Sequence, residues 1–192
     1  MKTSILCLLI FGISFSYALD EPAEYVGSNK CKICHKKEKM GEQYQVWEAG
    51  PHASSFETLK GEEAIKIAKD MGITEAPDQA PACLICHVSG WDTPSGYKLK
   101  VDPLDKKAVK KNTDLARIGC EACHGAGSNY KSKKKMAAIR AGELKACDFG
   151  LDEIVAETCS GCHNSDSPTY KPFTFDERVK DIVHPIPDSP KE

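Results

Sequence analysis

The hydrophobic positions of this chain form short helical stretches separated by loops rich in glycine and proline, apart from one continuous apolar run near the start. From Glu62 to Met71, for example, Ala64, Ile65 and Ala68 recur at the spacing of one helix face, and Gly72 follows as a stop signal. The pattern predicts a mainly α fold with many loops, in which any strand is confined to residues 97–101. Further short helices are predicted over residues 36–47, 52–59, 105–117, 131–141, 151–158 and 175–183.

The apolar run near the start has the features of a secretion signal. Lys2 precedes it, residues 5–15 are its apolar core, and Ser16 to Ala18 form a cleavage site. The run is shorter than the roughly 20 residues that a membrane span needs, and no later stretch comes close. We therefore expect residues 1–18 to be a cleaved signal peptide and residues 19–192 a single periplasmic domain with no membrane span.

One five-residue pattern, Cys-x-x-Cys-His, occurs four times. It is the attachment signature of heme c: the two thiols add to the vinyl groups of the porphyrin, and the histidine is then held beneath the iron as its proximal ligand. The sequence therefore predicts four covalently bound hemes c, numbered here in chain order. The copies are CKICH (Cys31, Cys34, His35), CLICH (Cys83, Cys86, His87), CEACH (Cys120, Cys123, His124) and CSGCH (Cys159, Cys162, His163).

Eight paired cysteines could instead form disulfides or two four-cysteine zinc sites. Zinc ribbons usually separate their cysteine pairs by about 15–20 residues. The gaps here are longer, as from Cys34 to Cys83 and from Cys123 to Cys159. Neither alternative requires a histidine directly after every pair, so the repeated pattern favours heme.

Composition indicates how such a chain could fold. Aromatic residues make up only 7% and charged residues 28%, so side chains alone would give a thin core. We expect one small domain wrapped around its four hemes. The formal net charge of −2 argues against a nucleic-acid partner. Two lysine clusters, 106–111 and 131–135, are either solvated helix faces or surfaces that pair with heme propionates or dock an acidic redox protein.

The histidine count limits the second axial ligands of the irons. The chain has 6 histidines, and four belong to the motifs, which leaves His52 and His184 as candidate distal ligands. At most two hemes can therefore have two histidine ligands within one chain. Met136 is the candidate for a third iron, with Lys134 as its rival. The cysteine outside the motifs, Cys147, is expected to be a buried small hydrophobic residue.

Longer phrases surround the motifs: YVGSNKCKICHK, VWEAGPHASSFETL, CLICHVSGWDTPSGY, GCEACHGAGSNYK and CSGCHNSDSPTYKPFTFDERVKDIVHP. These phrases resemble the tetraheme cytochrome c-554 family. That resemblance implies a mostly helical fold with two stacked heme pairs, 1 with 3 and 2 with 4. It also implies that His52 ligates heme 3, that His184 ligates heme 4, and that heme 2 on His87 lacks a distal ligand. The family takes the distal ligand of heme 1 from the stretch after the third motif, where this chain has Lys134 at the matching position and Met136 two residues later.

These features favour a periplasmic carrier of single electrons between redox proteins, present as a monomer or weak oligomer. The best-known member of the resembled family accepts electrons from hydroxylamine oxidoreductase in ammonia-oxidising bacteria. Two alternatives remain open at this stage. An open iron at heme 2 could give a minor nitric oxide reductase activity, and ligands shared between subunits could give a polymeric heme wire.

Overall fold

The computed structural model describes residues 22–187, and within them the chain is helical with no strand. The signal peptide predicted over residues 1–18 lies outside this range. No helix in the described range has the length and apolarity needed to cross a bilayer. The α-helices are α1 (Ser28–His35), α2 (Gln43–Glu48), α3 (Ser55–Thr58), α4 (Glu62–Asp70), α5 (Pro81–His87), α6 (Lys106–Leu115), α7 (Cys120–His124), α8 (Lys133–Arg140), α9 (Ala156–Ser160) and α10 (Phe175–Arg178). Short 3-10 turns cover Glu38–Met40, Pro51–Ser54, Gly127–Asn129, Ala146–Phe149 and Val179–Asp181.

The best-formed helices begin at residues that suit a helix start. α4 has two glutamates in its first turn and Lys69 in its last, and charges in these positions interact favourably with the helix dipole. In α6 the Asp105 side chain accepts hydrogen bonds from the N–H groups of residues 107 and 108. Ser132 caps α8 in the same way through the N–H of Lys135. These three elements confirm the helices predicted over residues 62–71, 105–117 and 131–141.

Several other predicted helices are shorter or interrupted. The helix expected over residues 36–47 is broken because Gly41 and Glu42 both have positive φ, 92° and 50°. The prediction for residues 151–158 was wrong over most of its length, since α9 begins only after Val155, whose backbone is extended. The β-branched neighbours Ile154 and Val155 have low helix propensity. Residues 97–101 form no strand.

The apolar core of the described residues is small. Its main cluster consists of Phe56, Leu59, Leu84, Val88, Tyr97 and Leu115, which join α3, α5 and α6. Leu84, between the cysteines of the second motif, has no exposed surface. Other large apolar side chains near the motifs are exposed, among them Ile33 and Ile85 inside motifs and Val183 beside His184. The side-chain core therefore covers only part of the apolar surface, as expected for a protein that packs around large apolar cofactors.

Three buried serines hold the backbone that leads into the third motif. Ser55 Oγ accepts from the N–H of Ile118, Ser89 Oγ from Gly119, and Ser28 Oγ from Cys120, at 2.9, 2.9 and 3.2 Å. The serines come from three separate segments, before the first motif, after His52 and after the second motif. Because buried N–H groups need partners, these bonds fix the third motif relative to the others.

Buried carboxylates hold the segment that leads into α1. Glu121, inside the third motif, accepts from the N–H groups of residues 26 and 27 at 2.8 and 2.7 Å and from that of Gly127 at 2.6 Å. Asp114 accepts from the N–H of Asn29 at 2.8 Å. Burial raises the pKa of both carboxyl groups, while the backbone N–H groups act in the opposite direction. The first and third motifs are thus joined by polar contacts as well as by packing.

We predict that Leu84→Ala destabilises the protein by about 2–5 kcal/mol, because it leaves a cavity in the small core. Leu104→Ala is the control, since Leu104 is 86% exposed. Chemical denaturation followed by circular dichroism measures the difference. Equal losses of stability in the two variants would contradict this description of the core.

Candidate heme-binding site

Each motif adopts one turn of helix that brings its three functional side chains to one side. α1 and α5 end with their motifs, and α7 consists of the third motif alone. The fourth motif begins in α9 and continues in a turn, in which the N–H of Cys162 and that of His163 both donate to the carbonyl of Cys159. Since residues three and four apart share a helix face, two thiols and one imidazole can approach the same planar group.

The arrangement of donors differs from that of a bare metal site or a disulfide framework. The described cysteines are all unpaired. Across residues 22–187, no group of three or more His, Cys, Asp or Glu side chains converges on a point that could hold an ion. Histidine rings approach each other in pairs instead, and cysteines of different motifs meet.

Thiols of distant motifs lie near enough to shift each other's pKa. Interaction with Cys120 of the third motif raises the pKa of the Cys31 thiol in the first, and the same interaction lowers that of Cys120. Burial raises the pKa of Cys162 in the fourth motif to about 12, with Cys86 of the second motif as the next cause. Motif 1 is therefore a neighbour of motif 3 and motif 2 a neighbour of motif 4, the same combinations as the heme pairs that the resemblance implies.

The two pairs of motifs are also neighbours, since the N–H of Asp152, shortly before the fourth motif, donates to the carbonyl of His124 at 3.1 Å. Burial raises the pKa of Cys123 in the third motif to about 11, with the nearby thiol of Cys159 in the fourth as the next cause. The thiol of Cys123 also contributes to the raised pKa of Cys162 in the fourth motif. The four attachment points therefore form one series, in the order first, third, fourth, second.

Two pairs of histidine rings have the separation expected of ligands on opposite sides of one iron. The ring centres of His52 and His163 are 6.1 Å apart, and those of His124 and His184 are 5.9 Å apart. A metal–nitrogen bond of about 2.0 Å on each side, with each nitrogen about 1.2 Å from its ring centre, gives about 6 Å. The residues present therefore fit heme iron at both places.

This pairing corrects the partners that the resemblance implies. His52 lies against the fourth motif and His184 against the third, whereas the resemblance gives His52 to heme 3 and His184 to heme 4. Ser55, three residues after His52, donates to the carbonyl of His87 at 3.0 Å and so holds the His52 turn beside the second motif. Cys86 of the second motif lies near Cys162 of the fourth. His52 is therefore placed beside His163.

Three of the paired imidazoles are buried enough to favour the neutral form, which is the form that binds metal. Burial lowers the pKa of His52, of His124 and of His184, which keeps these rings neutral. Nδ1 of His184 is buried without a hydrogen-bond partner among the described residues. The ring of His163 is stacked on Phe173, with centres 4.7 Å apart and planes at 16°. A neutral ring with an unused nitrogen is suited to donate an electron pair to iron.

The motif histidines of hemes 1 and 2 are oriented by hydrogen bonds. Nδ1 of His87 lies 2.6 Å from the carbonyl of Ser55, and Nδ1 of His35 lies 3.2 Å from Oε1 of Gln43. Both partners are acceptors, so each Nδ1 carries the proton and Nε2 is left for the iron. Sequence reasoning missed Ser55 and Gln43, because neither has a spacing relative to its histidine that would reveal the contact.

Hemes 1 and 2 have no second histidine available. All six histidines lie within the described residues; His52 is beside the fourth motif and His184 is beside the third. Met136 is half-buried on α8 and Lys134 is exposed. The assignment of Met136 to heme 1 stays a prediction. The expectation for Cys147 was wrong: it is exposed in the Ala146–Phe149 turn, beside Asp148.

Comparison with known proteins agrees with this arrangement. A family model described as "Cytochrome c554 and c-prime" matches residues 30–125. The chain belongs to this family. Cytochrome c-554 of Nitrosomonas europaea is 29% identical over 213 residues, covering 95% of this chain and 85% of that protein. The structure of the reduced state of cytochrome c554 from Nitrosomonas europaea matches with a TM-score of 0.54 at 28% identity, covering 83% of this chain and 78% of that one.

Membership of the cytochrome c554 family confirms the mainly α multiheme fold class. It also establishes the protein as a c-type electron carrier with covalently bound heme c.

We predict that replacing His52 or His184 converts one low-spin heme to high-spin. The affected heme should be the one on the fourth motif for His52 and the one on the third motif for His184. In a variant that lacks the fourth attachment site, Cys159→Ala with Cys162→Ala, the further change His52→Ala should leave the spin state unaltered. His184→Ala should still produce one new high-spin heme in the same background. Electron paramagnetic resonance measures both, and the opposite result would restore the assignment implied by the resemblance.

Proposed function

We propose that this protein is a periplasmic tetraheme cytochrome that carries single electrons between redox proteins. The observation that carries the proposal is that the four attachment motifs are neighbours in one unbroken series. Heme c supplies a one-electron iron couple when bound. The chain contributes the covalent anchors, a proximal imidazole in every motif, and the order in which the cofactors are neighbours.

The thiol contacts support short steps between cofactors. A heme attached through a thioether lies within bonding distance of its cysteine, so hemes on neighbouring cysteines lie close together. Cys31 is near Cys120, Cys86 is near Cys162, and Cys159 is near enough to Cys123 to raise the pKa of its thiol. We infer that electrons enter at one end of this series and leave at the other, by way of hemes 3 and 4.

The signal sequence supports the location. Residues 1–18 have the pattern of a secretion signal, and covalent attachment of heme c takes place in the periplasm. The inferred mature domain therefore begins at residue 19.

We predict that the purified protein takes up four electrons per chain in a reductive titration and carries the mass of four hemes. The reason is that all four motifs are complete and helically arranged. Alanine replacement of Cys120 and Cys123 should remove one electron and one heme mass. It should also slow electron exchange between the first motif and the other two, because the third lies between them. A titration that ends at two electrons in the wild-type protein would contradict the proposal.

Charge divides the chain in the same way as the motif contacts. Residues 28–41 and 98–140, which carry the first and third motifs, have 5 basic and 1 acidic residues and 12 basic and 4 acidic residues respectively. Residues 42–97 and 141–187, which carry the second and fourth, have 3 basic and 9 acidic and 4 basic and 9 acidic residues. We infer that an acidic redox protein docks on the basic half, near hemes 1 and 3.

We predict that replacing exposed lysines of α6 slows oxidation by an anionic metal complex about three- to tenfold at low salt, because electrostatic steering is lost. The variant is Lys106→Gln, Lys107→Gln and Lys110→Gln. The matched control removes the same charge from the acidic segments, through Lys69→Gln, Lys171→Gln and Lys180→Gln. Stopped-flow rates should converge at high salt, since mobile ions screen both surfaces. Equal rates in the two variants at low salt would contradict a basic docking surface.

One observation favours a second candidate function, reduction of a small molecule at an open iron. His87 is oriented by Ser55 and has no second histidine opposite it, since the other five rings are committed elsewhere. A free position at heme 2 would let a ligand such as nitric oxide bind. Binding of nitric oxide or carbon monoxide to the reduced protein, with one ligand per chain, tests this candidate.

A further inference from the structure

The side chain of Gln43 joins two parts of the site that are far apart in sequence. Its Oε1 lies 3.2 Å from Nδ1 of His35, the proximal histidine of the first motif. Its Nε2 donates to the carbonyl of Pro185 at 3.0 Å and also to the carbonyl of Met40. Carbonyl oxygens only accept, so the NH₂ group must face them and the amide oxygen must face His35. The amide orientation is thereby determined by its surroundings.

Pro185 follows His184, whose ring pairs with His124 of the third motif. The tail lies directly on the turn before Gln43: a Cβ added to Gly41 would be 2.7 Å from the Pro185 carbonyl oxygen. Gly41 also has φ of 92°, so any other residue there would have a strained backbone, and its Cβ would clash with the Pro185 carbonyl oxygen. The contact between the tail and this turn is therefore close and specific.

We propose that Gln43 is a positioning residue that sets the electron donation of His35 at heme 1 and holds His184 in place at heme 3. The inference rests on the proposed function, because it requires hemes at the first and third motifs. It makes one amide group responsible for the ligand field of both members of a heme pair. At heme 2, the equivalent acceptor is the backbone carbonyl of Ser55, so side-chain replacement cannot remove it.

Two replacements of Gln43 should act oppositely at heme 1. Gln43→Glu offers a carboxylate to Nδ1–H, which makes the imidazole a stronger donor, favours the ferric state and lowers the potential. Gln43→Leu removes the acceptor and raises the potential. Both variants lose the N–H donor to the Pro185 carbonyl, so both should loosen His184 and weaken its binding at heme 3. A purely structural role for Gln43 would shift heme 1 in the same direction in both variants.

The experiment is a redox titration of the full holoprotein, followed by NMR of heme methyl groups assigned through the cysteines of each motif. We expect the ratio of oxidised to reduced heme 1 at a fixed potential to change about tenfold in opposite directions, equivalent to about 59 mV each way. Gln45→Leu is the control, because Gln45 is on the same helix and its amide donates to the Lys36 carbonyl at 2.6 Å without touching a histidine. Its potentials should match those of the wild type.

Shifts of the same sign in the two Gln43 variants, or no shift, would overturn the role at heme 1. An unchanged low-spin signal for heme 3 in both variants would overturn the role at His184. Failure of the proposed function is distinguishable from either result, because the wild-type protein would then lack heme mass at the first or third motif.

Discussion

The arrangement of this molecule depends on hydrogen bonds that join attachment motifs far apart in the chain. Ser28 of α1 accepts from the N–H of Cys120, and Ser55, which follows His52, donates to the carbonyl of His87, so each cofactor position is defined by a partner from a distant segment. Helices of four to ten residues, such as α3 and α6, are too short to be stable alone. These helices must therefore be stabilised by tertiary contacts, many of which lie around the motifs.

The third motif is the centre of these contacts. Serines 28, 55 and 89 bind its leading backbone, and Glu121 within it binds the segment before α1. Its cysteines also lie near those of both the first and the fourth motif. Buried polar groups of this kind are costly unless every partner is in place, so they specify one arrangement. The side-chain core is small by comparison, which leaves much of the ordering to the covalently bound cofactors.

The sequence predicts what depends on local spacing and on counting. Cys-x-x-Cys-His gives the attachment sites, helical periodicity gives α4 and α6, and the number of histidines limits how many irons can have two. The partners of His52 and His184 could not be predicted in this way. They depend on the bond from Ser55 to the His87 carbonyl and on the bond from Gln43 to the Pro185 carbonyl, and both join segments with no shared sequence pattern. The prediction that Cys147 is buried was wrong for a similar reason, because the sequence around a single cysteine does not show which residues cover its side chain.

The central claim is that six imidazoles serve four irons, with two pairs at the third and fourth motifs and one ring each at the first and second. Electron paramagnetic resonance of the fully oxidised protein tests it most directly, because low-spin iron with two histidine ligands has a characteristic signal. The account predicts two such hemes per chain, and two others that differ from them in ligand set or spin state. Three or four hemes with two histidine ligands in a monomer would contradict it.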